Sequence, residues 1–244
     1  MLAGHTSSVR AVALSADGKC AVSGSEDHTL RVWDLEGNQP PRVLKGHIGA
    51  INTVALSADG NCVVSGSNDR TVRVWDLEGN QRPRVLRGHT DQVGAVALSA
   101  DGKRAVSGSY DHTVRVWDLA GGQRPRVLRD RRGEVNAMAL SGDGKHAVSQ
   151  SNDFIVRVWD LESNQRPRLL EGHTDRVCAV ALSGDGKRII SGSLDHTLRV
   201  WNLDSGRCLA VFTCDAGVYS CAWARQRIVA GDSSGHVHLF AWEE

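Results

Sequence analysis

The chain has 244 residues, 41% of them hydrophobic and 23% charged, a balance that carries a packed core and excludes wholesale disorder. Twenty-nine Lys and Arg against 28 Asp and Glu leave a net charge of +1, which argues against a dedicated nucleic-acid binder or a polybasic membrane anchor. The apolar runs are short and Met1-Leu2-Ala3-Gly4-His5 lacks the basic and long apolar regions of a signal peptide, so neither a membrane span nor a secretory leader is expected.

From the N-terminus, Val9–Leu14 (VRAVAL) reads as a strand buried on both faces. Ser15-Ala16-Asp17-Gly18 is a turn. Residues 21–25 form a second strand, and Glu26-Asp27-His28 turns the chain. Residues 29–33 (TLRVW), β-branched and aromatic, form a third. A polar loop over 36–39 leads to a short fourth strand over 42–44 and then to Gly46-His47. Pro41, Pro83, Pro125 and Pro167 open the fourth strands, and a residue without an N–H belongs on a sheet edge. No segment holds a 3.6-residue apolar period, so helix should be nearly absent. Six cysteines without a CxxC pair fit the reducing cytoplasm.

The unit then recurs. Trp33, Trp75, Trp117, Trp159 and Trp201 are 42 residues apart, a period that signals a repeat architecture. Gly-His recurs at His5, His47, His89 and His173, and an Asp stands six residues before each Trp. Gly-His, Ser-Gly-Ser-x-Asp and Val-Trp-Asp at this spacing resemble the WD40 repeat family. The resemblance implies an all-β propeller of six four-stranded antiparallel blades around a central channel, the sixth degenerate. Expected blades span 8–46, 50–88, 92–130, 134–172, 176–213 and 217–244, the last closed by residues 1–3 as its outer strand.

The family's hydrogen-bonded chain of His, Ser, Asp and Trp carries over to His5, Ser23, Asp27 and Trp33 in blade one. It carries over to His47, Ser65, Asp69 and Trp75 in blade two, and to His89, Ser107, Asp111 and Trp117 in blade three. Blade five has His173, Ser191, Asp195 and Trp201. A Ser-His-Asp catalytic triad is the rival reading, but an enzyme needs the trio once and here it recurs in four blades. Blade four has Asp130-Arg131 in place of Gly-His. Arg131 is a candidate partner for Asp153, and the blade is either looser or reshaped for a partner. In blade six Phe240 takes the Trp position and Ser234 the Asp position.

Other motifs carry little. Gly231-Asp232-Ser233-Ser234-Gly235 matches GxSxG but falls on a strand turn rather than a strand-to-helix elbow. No P-loop occurs, and His236 and His238 with Cys208, Cys214 and Cys221 lack tight zinc spacing. Arg31, Arg73, Arg115, Arg157 and Arg199 form a column read as solvated, one per blade. No catalytic residue, cofactor or metal is expected.

Positions that differ between repeats are free to hold specificity. Two columns flank a buried apolar residue (Val9, Ile51, Val93, Val135, Val177), and a third precedes the turn Asp. In the propeller they face the channel mouth. They read Ser8, Arg10, Glu26; Ala50, Asn52, Asn68; Gln92, Gly94, Tyr110; Glu134, Asn136, Asn152; Arg176, Cys178, Leu194; Gly217, Tyr219, Ser233. Arg10, Glu26, Asn52, Asn68, Gln92, Tyr110, Glu134, Asn152, Arg176, Leu194 and Tyr219 are the candidate contacts for a protein or peptide partner; a variable solvated rim is the plain alternative. The expected function is a non-catalytic interaction platform or sensor, with nucleic-acid or phosphoinositide binding and a channel-mouth enzyme as alternatives. The closing residues 228–240 (IVAGDSSGHVHLF) resemble the ends of propellers fused to bacterial signalling NTPases, which implies a larger signalling assembly, cytoplasmic and bacterial.

Overall fold

Alternating β-branched residues and Asp-Gly turns produce strands and turns, with no helix, across the described residues of this computed structural model: 2–37, 39–79, 81–122, 124–129, 133–163, 165–224 and 226–242. Among them no helix is long and apolar enough to cross a membrane. The chain divides into two compact units, Met1–Arg129 and Asp130–Glu244.

In the first unit, blade one consists of β1 (Val9–Leu14), β2 (Cys20–Ser25), β3 (Thr29–Asp34) and β4 (Arg42–Lys45). Blade two has β5 (Ile51–Leu56), β6 (Cys62–Ser67), β7 (Val72–Asp76) and β8 (Arg84–Leu86). Blade three has β9 (Val93–Leu98), β10 (Arg104–Ser109), β11 (Thr113–Asp118) and β12 (Arg126–Arg129). In the second unit, blade four has β13 (Val135–Leu140), β14 (His146–Ser151), β15 (Val156–Asp160) and β16 (Arg168–Leu170). Blade five has β17 (Val177–Leu182), β18 (Arg188–Ser193), β19 (Thr197–Asn202) and β20 (Cys208–Thr213). Blade six has β21 (Val218–Ala224), β22 (Arg227–Asp232) and β23 (Val237–Ala241). Each sheet is antiparallel and runs in chain order, so the proline-led strands are edges. The six sheets are those of a six-bladed WD40-type propeller, five four-stranded and the last three-stranded among the described residues.

The tight Asp-Gly turns need a left-handed residue. Gly18, Gly60, Gly102, Gly144 and Gly186 supply it, with φ between 68° and 77°. Glycine also sets how neighbouring blades meet. A Cβ at Gly24 would lie 2.6 Å from Ile51 Cγ2, and one at Gly66 would lie 2.5 Å from Val93 Cγ1. The missing side chain is the socket into which the next blade's first strand inserts. Val22, Leu30 and Leu44 of blade one pack on Ile51, Val54, Val63 and Trp75 of blade two. In the second unit Gly192 receives Val218 in the same way. Full burial of each aliphatic side chain contributes about 1.5–3 kcal/mol.

One expectation fails. β1 is not buried on both faces: Val9 is 49%, Val12 66% and Leu14 57% exposed, whereas Ile51 and Val93 are fully buried. Within their unit β5 and β9 are each covered by the blade before them, and β1 opens that unit. Met1, part of the expected closing segment, lies outside the described residues.

Candidate functional site

In blades one, two, three and five the repeated polar side chains meet. Trp33 Nε1–H donates to Ser23 Oγ at 2.8 Å, and that oxygen lies 2.7 Å from His5 Nε2. His5 Nδ1 lies 2.8 Å from Asp27 Oδ2. The matching distances are 2.8, 2.8 and 2.7 Å through Trp75, Ser65, His47 and Asp69. They are 2.8, 2.7 and 2.8 Å through Trp117, Ser107, His89 and Asp111, and the same through Trp201, Ser191, His173 and Asp195. A neutral imidazole with its proton on Nδ1 satisfies every member: indole to hydroxyl, hydroxyl to Nε2, Nδ1–H to carboxylate. The second carboxylate oxygen takes the hydroxyl of Thr29, Thr71, Thr113 or Thr197, each at 2.6 Å. Burial pushes the His47 and His173 pKa down, against the pull of Asp69 and Asp195. Burial would raise the aspartates. The hydrogen bonds overcome it, holding Asp27, Asp69 and Asp111 well below the usual range and Asp195 at about 2.

Blade four is built differently. Trp159 still donates to Ser149 at 2.8 Å. Asp153, however, is held by Arg157, whose two terminal nitrogens reach its two oxygens. The turn residue is Phe154, without the left-handed φ of 62–67° shared by His28, Arg70, His112 and His196. Ile155 replaces the hydroxyl-bearing Thr. Arg131, the expected partner of Asp153, lies outside the described residues, as does Asp130.

The Arg column is not simply solvated. Arg31 Nη2 donates to the Gly4 carbonyl at 2.6 Å, and Arg115 Nη2 to Gly88 at 2.7 Å. The Nε atoms of Arg31, Arg73, Arg115 and Arg199 are buried. In blades one and three the arginine thus clips the loop before the first strand to the third strand.

The three variable columns are drawn together by two backbone devices. Each first strand shifts register after its first residue, so Arg10, Asn52, Gly94, Asn136, Cys178 and Tyr219 sit in β-bulges, which re-aim side chains at a sheet rim. The N–H of Glu26, Asn68, Tyr110 and Leu194 donates to the carbonyl of Ser8, Ala50, Gln92 and Arg176 respectively, at 2.9–3.0 Å.

In the first unit the candidates spend their polar groups on one another. Arg10 Nε donates to Glu26 at 2.9 Å and Asn52 Nδ2 to Asn68 at 2.6 Å, while Gln92 and Tyr110 are half-buried. In the second unit Asn152 is fixed between Asn136 and Glu134, at 2.6 and 2.9 Å. Arg176 is exposed there, Tyr219 is 57% exposed, and Leu194 lies over Gly217, where a Cβ would be 2.9 Å from Leu194 Cδ2. Val9, read as a buried divider of two columns, is exposed. Two exposed residues beside this face escaped the sequence reading: Ile48 at 83% and Phe154 at 46%. Ile48 stands where other repeats have Thr6, Thr90 and Thr174, so comparing that column would have found it.

In blade six Asp232 accepts from His238 at 2.8 Å, and Ser233 N–H closes a turn onto the Gly217 carbonyl at 2.9 Å. Burial pushes the Cys221 thiol up to about 12. Among the described residues no group of three or more His, Cys, Asp or Glu is arranged to hold a metal ion.

Comparison with known families gives two matches. The WD40 family, described as WD domain, G-beta repeat, matches residues 1–34, 38–76, 80–118 and 122–160. The TEP-1 C-terminal beta-propeller family matches residues 173–242.

Proposed function

The chain belongs to the WD40 repeat family, which matches more than half of its length, and from that premise we propose that it is a non-catalytic platform binding a protein or peptide on its channel-mouth face. The observation that carries the reading is the group of Arg176, Leu194 and Tyr219 on blades five and six. Arg176 is exposed and its carbonyl accepts from the Leu194 N–H, Leu194 lies against Gly217, and Tyr219 is exposed in the bulge two residues further on. Large amphipathic side chains of this kind lose little entropy on docking and bury much area. The bonded row of Arg10, Glu26, Asn52 and Asn68 is a polar rim by this reading. We infer also that the platform serves a larger signalling assembly, which the likeness of residues 228–240 to the ends of bacterial signalling propellers supports.

Peptides selected from a random library on the immobilised protein provide the probe. Tyr219→Ala and Arg176→Ala should each weaken a selected peptide about tenfold or more without lowering the melting temperature. Lys103→Ala, in the β9–β10 turn, should change neither. Binding that survives both face substitutions, or that vanishes in high salt as polyanion binding does, would overturn the reading.

A further inference from the structure

Where blade six packs on blade five, it departs from the repeat at the strand ends remote from Arg176 and Leu194. The first strands of the other blades end on Leu14, Leu56, Leu98, Leu140 and Leu182. A second leucine, Leu35, Leu77, Leu119, Leu161 or Leu203, follows two residues after each repeated Trp. In blade six both positions hold tryptophan. Trp223 pairs with Ile228 as Leu182 pairs with Ile189. The Trp242 N–H donates to the Gln226 carbonyl at 2.8 Å, as that of Leu203 donates to Lys187. The turn between β21 and β22 is also shorter, with four residues between Trp223 and Ile228 against six between Leu182 and Ile189. Between blades four and five a cleft of about 240 Å³ is lined by His146 and Leu203 together with the longer turn of blade five, Gly184 to Gly186. The corresponding cleft between blades five and six is about 330 Å³, and Asp185, Arg188, Trp223, Gln226 and Trp242 line it.

The rings of Trp223 and Trp242 lie 5.7 Å apart at 55°, each packed on the core shared by blades five and six. Trp242 Nε1–H is buried without an acceptor among the described residues, and an unpaired buried donor is costly. Arg188 Cζ stands 5.7 Å from the centre of the Trp242 ring, and its Nη1 is 3.1 Å from Asp185 Oδ2. The guanidinium repels a cationic guest and the carboxylate an anionic one. The cleft therefore suits a neutral group with an apolar body and a carbonyl oxygen for the indole N–H. We propose that it binds a proline-rich segment of a partner protein in the polyproline II conformation. Pyrrolidine rings pack on aromatic faces, and this helix makes no internal hydrogen bonds, so its carbonyls are available to an indole donor. Its conformation is preformed, so docking orders little. Leucine at both positions, as in the other blades, offers neither flat faces nor a donor. This inference is independent of the platform reading, because the cleft lies at the other end of the strands and includes none of Arg176, Leu194 and Tyr219.

The test titrates the full chain, with isotope-labelled tryptophan, against decaproline and against a Gly-Ser peptide of equal length. Nuclear magnetic resonance follows the indole N–H signals, assigned by substitution. Decaproline should shift those of Trp223 and Trp242 and leave those of Trp33, Trp75, Trp117, Trp159 and Trp201 in place. Trp223→Leu and Trp242→Leu each install the residue that the other blades carry there, so both should fold, which thermal melting checks. Each should weaken decaproline binding about tenfold or more. Arg176→Ala and Tyr219→Ala should leave it unchanged, which separates this site from the platform face. Indole signals of Trp223 and Trp242 that stay fixed at millimolar decaproline would overturn the proposal, and the wild-type titration carries this test even if a variant unfolds. An equal response to the Gly-Ser peptide, a response to tetramethylammonium in place of decaproline, or binding that both leucine variants retain would overturn it too. None of these outcomes bears on peptides selected for the platform face, whose loss is read from Arg176→Ala and Tyr219→Ala.

Discussion

Arg157 Nη1 donates to Asp153 Oδ1 at 2.9 Å across a single hairpin, and this pair replaces the His–Asp contact of the other complete blades. Three sequence changes act together here. Gly-His is lost before blade four, Phe154 takes a turn position otherwise left-handed, and Ile155 removes the hydroxyl that serves the Asp elsewhere. Asp153 would be left part-buried and unpaired. Arg157, freed from the carbonyl-clipping role of Arg31 and Arg115, turns inward until its side chain is only 3% exposed.

Arg157→Ala should therefore destabilise the protein by on the order of 2 kcal/mol or more, because it strands a carboxylate in a poorly solvated place. Arg115→Ala, which removes one bond to the Gly88 carbonyl, should cost about 1 kcal/mol or less. Urea denaturation measures both. Equal losses would mean that Arg157 is only another clip. Arg131→His alone should add no stability, since Asp153 already has its partner.

The polar chains make a second comparison possible. Ser107→Ala orphans both Trp117 Nε1 and His89 Nε2, whereas Ser149→Ala removes the acceptor of Trp159. Each orphaned buried group costs roughly 1–3 kcal/mol. Ser107→Ala should thus be the more damaging by at least one such increment. A reversed order in chemical denaturation would mean that blade four relies on its serine for something further.

Much of this fold was legible. Trp33 and its four successors mark the period, and Pro41 and its successors mark the sheet edges, because indole donors and missing N–H groups have few structural uses. The bulges were not legible. Arg10, Asn52, Gly94, Asn136, Cys178 and Tyr219 share no chemistry, and a bulge is a register event of the backbone that any of them tolerates. The exposure of Val9 was equally hidden, since its sequence neighbourhood is that of buried Val93. The turn of Arg157 depends on losses at three separate positions, which no single column displays.

Acid should act in two stages. His47 and His173 have folded pKa values below their ordinary 6.5, so the unfolded chain takes up protons first and stability declines as pH falls below about 6.5. Asp27, Asp69, Asp111 and Asp195 are depressed below 3.8. Their contribution is intact above that value and is lost as pH falls toward about 2. Urea midpoints should be flat near neutrality, slope gently from pH 6.5, and fall steeply below pH 4. A flat profile down to pH 4.5 would mean that the buried imidazoles accept protons as readily as free ones.

Gln150 stands where Gly24, Gly66 and Gly192 provide sockets in other blades. It is 1% exposed, and neither of its amide atoms has a hydrogen-bond partner. Its backbone pairs regularly with Ala137 and Val156, so the penalty lies in the side chain alone. Desolvating an amide without a compensating bond costs roughly 1–3 kcal/mol on the scale of protein mutational data. Methionine has similar length and volume, no strong polar group, and the rotamer freedom to follow the same path. Gln150→Met should raise the unfolding free energy by about 1 kcal/mol or more, whereas Gln150→Gly should lower it by opening a cavity between packed strands. If Gln150→Met is destabilising instead, the amide has a bonding role that its surroundings supply through solvent, and blade four would hold a buried water at that socket.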